Sequence, residues 1–356
     1  MEKKISGLLF NILIMLMGFG FISLCYAEDI YVAGAIGNVK DIYTEGINEN
    51  EDNHVACYWK NNNRTDLDPG MALSLHVLND DVYVAGVYKE NACYWKNGKR
   101  YILQEDDSEK SIANSIYIYK KDVYIAGVCG GNSACYWKNG ERYRLQQEGY
   151  SIANSIYVSR SNVYVAGAFE ENACYWKNGK RHNLRVNSGA QEAVAKSIYV
   201  KGSQVYVAGF VNHGDWPTTA CYWKNSKAKY IKGGDFRSII LSRNIVYVAG
   251  QQAGEYRQTP FYYNNRYIDL SFNWSNVRYL NLPFNWNNNR HVSLPCDDND
   301  GYASSIFVYD KSIYIAGAYS DGDGENYQAC VWVNGKKIDL KDGDSNSVST
   351  SIFVVK

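Results

Sequence analysis

The chain has 356 residues, of which 46% are apolar, 15% aromatic and 21% charged, a balance that excludes disorder, collagen and a polytopic membrane protein. Lysine plus arginine and aspartate plus glutamate each total 37, so the formal charge is zero and no global field recruits nucleic acid or an anionic bilayer.

Glu2, Lys3 and Lys4 precede an apolar run from Gly7 to Leu24, and Cys25-Tyr26-Ala27 sets small residues at the minus-three and minus-one positions of a cleavage site before Glu28. This predicts a signal peptide over 1–27. The mature protein over 28–356 is then secreted, or lies in the periplasm or cell envelope, with no membrane span after cleavage. An uncleaved anchor is the rival reading, weakened as a helix by Gly18, Gly20 and Ser23. A lipid-modified Cys25 is a second, disfavoured by the bulk of Leu24 before it. Eight cysteines remain in an exported chain, which would ordinarily suggest a disulfide framework.

From Asp29 onward the chain repeats a unit of about 41 residues, in the range of propeller blades. A clear copy runs Ser155-Ile-Tyr-Val158, Val163-Tyr-Val-Ala-Gly167, Ala173-Cys-Tyr-Trp-Lys-Asn-Gly179, then Lys180 to Leu184. These four short, β-branched or alternating segments predict four strands. Tyr-Val/Ile-Ala-Gly begins at Tyr31, Tyr83, Tyr124, Tyr164, Tyr206, Tyr247 and Tyr314. The aromatic strand carries Trp59, Trp95, Trp137, Trp176, Trp223 and Trp332, with Phe261-Tyr262-Tyr263 in the sixth unit. Ser-Ile-Tyr-Val recurs from Ser74, Ser115, Ser155, Ser197, Ser238, Ser305 and Ser351.

Tight turns join neighbouring antiparallel strands and the longest link crosses to the next blade, so Ser-Ile-Tyr-Val is read as the innermost strand. The expectation is an all-β, seven-bladed β-propeller of four-stranded antiparallel blades. Its ring is closed by the C-terminal strand, Ser351 to Val355, pairing with Asp29 to Gly34 and so removing the free edges. The alternative phase puts Tyr-Val-Ala-Gly innermost, with no strand crossing the seam.

Val82-Tyr-Val-Ala-Gly86 resembles the kelch second strand, with one glycine where kelch has two. Ala-Cys-Tyr-Trp-Lys-Asn-Gly-x4-Leu resembles the bacterial HAF-type extracellular repeat. The resemblance covers nearly all of the mature chain and implies a repeat β architecture. It brings no catalytic residue with it, since propellers host many unrelated functions.

The repeated tryptophans are expected to be wedges between blades rather than ligand platforms. Cys57, Cys93, Cys135, Cys174, Cys221 and Cys330 occupy equivalent positions on successive blades about 10 Å apart, too far for disulfides, and read as buried free thiols. Cys129, six residues before Cys135, leaves a cross-strand bond open, and Cys296 has no evident partner. His54, His76, His182, His213 and His291 sit in different units without ligand spacing, so neither a metal site nor a cofactor is expected. The acidic loop Asp321-Gly-Asp-Gly-Glu-Asn326 offers oxygens for calcium, but Trp332 stands where an EF-hand has its glutamate, and Asp297-Asp-Asn-Asp300 is no better. Asn63-Arg-Thr65 and Asn273-Trp-Ser275 match glycosylation sequons.

Loops between second and third strands share one face with the crossings between blades, which makes that rim the expected binding surface. It includes the stretch from Ile36 to Val55, the loop carrying Trp216, the loop from Gln251 to Thr259 and the Asp321 loop. An insertion over 271–295 contains a twelve-residue tandem duplication that repeats Trp274 as Trp286 and Arg278 as Arg290. Those four side chains and Trp216 are candidates for stacking a sugar or gripping a peptide; the rival reading is a hairpin packing its aromatics on the ring. No catalytic set is expected. The function that follows is a monomeric, non-catalytic binding or scaffolding propeller for a protein or glycan at or beyond the cell surface. The alternatives are a hydrolase or lyase with a central-pocket active site, or a multivalent lectin exploiting duplicated units such as Ser111-Ile-Ala-Asn-Ser and Ser151-Ile-Ala-Asn-Ser.

Overall fold

In the computed structural model, which describes residues 28–37, 54–103, 110–146, 148–214, 218–231, 234–253, 258–264, 290–296, 301–320, 326–341 and 346–356, the repeats fold into antiparallel strands. The first blade holds β1 (Asp29–Gly37), β2 (His54–Lys60) and β3 (Asn63–Pro69). The second holds β4 (Met71–Leu78), β5 (Asp81–Tyr88), β6 (Asn91–Lys96) and β7 (Lys99–Ile102). The third holds β8 (Ile112–Tyr119), β9 (Asp122–Cys129), β10 (Ser133–Lys138) and β11 (Glu141–Arg144). The fourth holds β12 (Ser151–Ser159), β13 (Asn162–Phe169), β14 (Asn172–Lys177) and β15 (Lys180–Asn183). The fifth holds β16 (Glu192–Lys201), β17 (Gln204–Asn212), β18 (Thr219–Lys224) and β19 (Lys227–Ile231). The sixth holds β20 (Asp235–Ser242), β21 (Ile245–Ala253), β22 (Gln258–Asn264) and β23 (Arg290–Ser293). The seventh holds β24 (Gly301–Tyr309), β25 (Ser312–Ser320), β26 (Tyr327–Val333) and β27 (Lys336–Asp339). A last strand, β28 (Ser347–Val355), returns to β1, so that among the described residues every sheet has four strands and the first is ordered β28-β1-β2-β3.

The first strand of each sheet touches the first strand of the next, from β4 through β8, β12, β16, β20 and β24 to β28 and back to β4. This is a β-propeller with Ser-Ile-Tyr-Val innermost, and the phase that put Tyr-Val-Ala-Gly there is excluded. The repeated serine explains its own recurrence. In each inner strand its hydroxyl accepts the backbone N–H of the next blade's following residue, as at Ile116 N to Ser74 Oγ, 3.2 Å, and Ile156 N to Ser115 Oγ, 3.2 Å. The series continues through Ser155, Ser197, Ser238 and Ser305, and Ser351 of β28 accepts from Leu75 of β4 at 3.2 Å.

The other repeated residues have equally specific work. Each inner strand carries one extra residue against its neighbour, a bulge such as Asn154 between Ala153 and Ser155. The bulge pushes the Ile152 carbonyl into the space where a Cβ on Gly167 would stand, and the same close approach meets Gly86 and Gly127. The last residue of Tyr-Val-Ala-Gly therefore has to lack a side chain.

Lys-Asn-Gly forms a two-residue turn with both residues at positive φ, 50° at Asn97 and 81° at Gly98, the type I′ geometry that matches strand twist. The Asn97 side chain also accepts the Val82 N–H at 2.8 Å and donates to Asp81, tying the turn to the start of the second strand. Lys96 completes the knot on Asp81 at 2.8 Å.

Trp59, Trp95, Trp137, Trp176, Trp223 and Trp332 are all fully buried. Each wedges into the preceding blade: Trp223 of β18 packs on Tyr164, Ala166 and Leu184 of the fourth blade, and Trp176 on Tyr124, Ala126 and Leu145 of the third. Three of the indole N–H groups donate to the carbonyl that follows the repeated leucine, Trp223 to Arg185 at 2.8 Å, Trp332 to Pro295 at 2.9 Å and Trp59 to Lys341 at 2.6 Å. The Nε1 atoms of Trp137 and Trp176 are buried without a partner among the described residues.

The eight described cysteines are buried and none is in a disulfide, Cys129 and Cys135 included. Those two lie on one face of the β9–β10 pair, where Cys129 faces Ser133 and Cys135 is the next residue on that side. Burial, and then the Cys129 thiol beside it, push the Cys135 thiol well up.

Candidate functional site at the axial channel

The inner strands line an axial channel in two layers. Deeper in the strands lies the third residue of Ser-Ile-Tyr-Val, which is His76, Tyr117, Tyr157, Tyr199, Ile240, Phe307 or Phe353. Their rings meet edge to face or tilted, at 5.1 Å for His76 and Tyr117, 4.8 Å for Tyr117 and Tyr157, and 4.9 Å for Tyr157 and Tyr199. On the other side Phe307 meets Phe353 at 4.8 Å, and Phe353 meets His76 at 4.6 Å. Such spacings are normal aromatic contact, and they make a collar across the channel. The tyrosine hydroxyls bond to one another from Tyr117 to Tyr157 to Tyr199, and burial raises all three phenols. Burial alone holds the His76 imidazole down at about 4, so it is neutral near pH 7.

Nearer the start of the inner strands lies the ring of bulged residues. Because a bulge re-aims its side chain, these groups reach sideways to the next blade, while Ser304 and Thr350 also donate within their own sheet, to Ala316 and Ala33. Asn114 Nδ2 donates to the Ala153 carbonyl at 3.0 Å and Asn154 Nδ2 to Ala195 at 2.9 Å. Thr350 Oγ1 reaches Ala72 at 2.8 Å and Ser304 Oγ reaches Ser349 at 2.8 Å. In the fifth and sixth blades the same position is charged, Lys196 and Arg237.

Arg237 is anchored. Its Nε lies 3.3 Å from Asp235 Oδ2, its Nη2 donates to Gln251 Oε1 at 2.9 Å, and its guanidinium sits 5.0 Å from the Tyr302 ring centroid. Lys196 has only the Phe210 ring, 5.8 Å from Nζ, and no hydrogen bond or ion pair among the described residues. It keeps some accessible surface because it faces the channel, yet protein surrounds it. Burial lowers the ammonium first, Arg237 lowers it further, and Asp235 and Glu192 act in the opposite direction.

Strand direction places this layer at the end of the inner strands that also carries the links from second to third strands. Those links are unequal. In the second and fourth blades they are the two-residue turns 89–90 and 170–171, whereas the fifth, sixth, seventh and first blades use 213–218, 254–257, 321–326 and 38–53. The charged pair therefore belongs to blades in which more residues link the second strand to the third.

Of the residues expected to bind, Trp216, Trp274, Arg278 and Trp286 lie outside the described residues, as do the acidic stretches 321–325 and 297–300. Arg290 opens β23, opposite Asn264 of β22. The histidines are dispersed, with His182 stacked on Tyr175 at 4.8 Å and His213 bonded to Asn187 at 3.1 Å. No group of three or more metal-ligating side chains occurs among the described residues.

No protein-family model and no curated protein matches the chain. Among solved structures it is similar to the computationally designed Ika8 protein, with 16% identity, a TM-score of 0.42, and coverage of 79% of this chain and 89% of that one. The Myceliophteria thermophila Cps50 (Swd1) β-propeller domain gives 11% identity and a TM-score of 0.47 over 77% and 87% of the two chains. A GH43_12 retrieved from a capybara gut metagenome gives 11% identity and a TM-score of 0.33 over 92% and 99%.

Proposed function

We propose that the chain is a non-catalytic binding propeller, exported through the cleaved segment 1–27, that engages a glycan or protein through the face carrying its longer loops. In this reading seven blades make the whole ring, and the aligned residues of the repeat serve packing. The observation that supports it is the asymmetry between the ends of the strands. One end repeats the same tied Asn turns blade after blade, as at Asn97, Asn139 and Asn178. The other varies from two linking residues to the sixteen of 38–53. A rigid scaffold with variable loops on one face is the usual arrangement for recognition. The alternative of a hydrolase or lyase in the central pocket needs acid and base groups converging in the channel, and the inner layer there is an aromatic collar.

The test is a thermal-shift screen of the protein from Glu28 against glycans and cell-wall fragments, in which a ligand at 100 times its Kd adds about 2.7 kcal/mol. A hit is then repeated on a variant whose residues 213–218 are replaced by the two-residue Glu-Glu turn of the fourth blade. Loss of the shift with an unchanged melting temperature supports the loop face. A hit that survives that replacement and equivalent shortening of 38–53, 254–257 and 321–326 refutes it.

A further inference from the structure

A formal charge of zero conceals how charge is divided between the two ends of the strands. In the first three blades the acid that opens the second strand, Asp29, Asp81 or Asp122, has two partners at the tight-turn end. One carboxylate oxygen accepts from the turn asparagine, at 2.6 Å from Asn61, 2.7 Å from Asn97 and 2.8 Å from Asn139. The other meets the lysine before that turn, at 2.8 Å for Lys60, 2.8 Å for Lys96 and 3.3 Å for Lys138. In the fourth and fifth blades Asn162 and Gln204 replace the acid. Their amide oxygens keep the turn bond, from Asn178 at 2.8 Å and from Asn225 at 2.7 Å. The structural part of the acid's role is retained and its negative charge is gone. Lys177 and Lys224 still sit 5.5 Å from the Tyr164 and Tyr206 ring centroids, as Lys138 does from Tyr124, with no ion pair among the described residues. Exposed Arg160, Lys180, Lys201 and Lys227 share that end of the two blades, whereas their described carboxylates, Glu170, Glu171 and Glu192, all lie at the other end.

We propose that the tight-turn end of the fourth and fifth blades is a docking surface for a linear acidic polysaccharide, a chain of carboxylates. Cations on two adjacent blades, whose sheets pack about 10 Å apart, form a row rather than a pocket, which suits repeated anions rather than one small ion. Five of the six are lysines, point charges on flexible stems that adapt to carboxylates at irregular spacing. The turns Arg160-Ser161, Asn178-Gly179, Gly202-Ser203 and Asn225-Ser226 hold no apolar side chain to enter a bilayer and no ring to stack a base. This surface is at the opposite end from the loop face, so the two readings stand or fall separately.

Biolayer interferometry of the protein from Glu28 on immobilised polygalacturonate tests it, with the methyl-esterified polymer, phosphatidylglycerol vesicles and double-stranded DNA as the other probes. Polygalacturonate should bind, more weakly as sodium chloride is raised, and the neutral ester should not. Asn162→Asp with Gln204→Glu returns the carboxylates of the first three blades and should weaken binding about tenfold or more, with the melting temperature unchanged or higher. Lys180→Glu, which copies Glu141 at the same position of the third blade, should weaken it likewise. Shortening 213–218 should leave it intact. Undiminished binding in both charge variants, equal binding of the ester, or loss on shortening 213–218 overturns the proposal. So does binding of vesicles or DNA without polygalacturonate, which would assign the basic row to a different partner.

Discussion

The tryptophan wedges offer an internal comparison, because the same side chain in the same repeat position differs in one hydrogen bond. Trp223 and Trp176 are both fully buried against a Tyr, an Ala and a Leu of the preceding blade. Trp223 donates to the Arg185 carbonyl at 2.8 Å, whereas Trp176 Nε1 is buried without a partner among the described residues. Replacement by Phe removes nearly the same volume from nearly the same surroundings, so the transfer and cavity costs cancel in the difference. At Trp223→Phe a net hydrogen bond worth about 1 kcal/mol is lost, and at Trp176→Phe the penalty of an unpaired buried donor, about 1–3 kcal/mol, is relieved. Trp223→Phe should therefore be the more destabilising by about 2–4 kcal/mol. Urea unfolding of the two variants at matched slopes measures this directly. Equal losses would refute the reasoning and would mean that Trp176 finds an acceptor in solution.

Deleting residues 351–356 removes Ile352 and Val354, 3% and 2% exposed, and with them the serine bonds on either side of β28. That is about 3–6 kcal/mol of apolar burial against a typical total of about 5–15, so the melting temperature should collapse; an unchanged one would refute closure by this strand. His76 carries a pH signature, because burial depresses its folded pKa to about 4 from 6.5. The unfolded chain then binds the proton first, so stability is lost as pH falls from about 6.5 to about 4, by up to about 3 kcal/mol, and is constant in this respect below that. His76→Phe, which copies Phe307 and Phe353 of the same collar, should flatten that part of the stability profile, and an unaltered profile would show that His76 is hydrated. The buried thiols should be inert to a thiol reagent at pH 8 in the native protein and react in denaturant, since burial pushes Cys174, for one, up to about 12. Rapid native labelling at Cys174 would contradict its burial.

The blade boundaries were legible because Asn-Gly turns and the Ala-Cys-Tyr-Trp segment recur with the same spacing, and loop length alone assigned the inner strand. The role of the glycine in Tyr-Val-Ala-Gly was not legible. Gly167 is required by the Ile152 carbonyl, which a bulge displaces, and a bulge leaves no mark in hydrophobic alternation. Lys196 and Arg237 were missed for a related reason. In linear sequence each is one charged residue in a polar strand, and only alignment of the seven units shows charge where the others hold Leu, Asn, Ser or Thr. The candidates named from sequence were Trp274, Arg278, Trp286 and Arg290 of the insertion together with Trp216; apart from the backbone of Arg290, they lie outside the described residues.

The pairing of β28 with β1 also fixes when the molecule can be finished. Asp29 meets Val355, Ile30 meets Val354 and Ala33 meets Ser351, so the earliest strand of the ring waits for the latest to be synthesised or translocated. Until then β1 keeps one edge unpaired and the seventh blade has an uncovered flank, both sticky surfaces in a slow, non-local fold. A chain threaded across a membrane from its N-terminus would therefore acquire its final cooperativity only as residues 347–355 emerge. An interrupted chain would be a substrate for proteases rather than a smaller propeller.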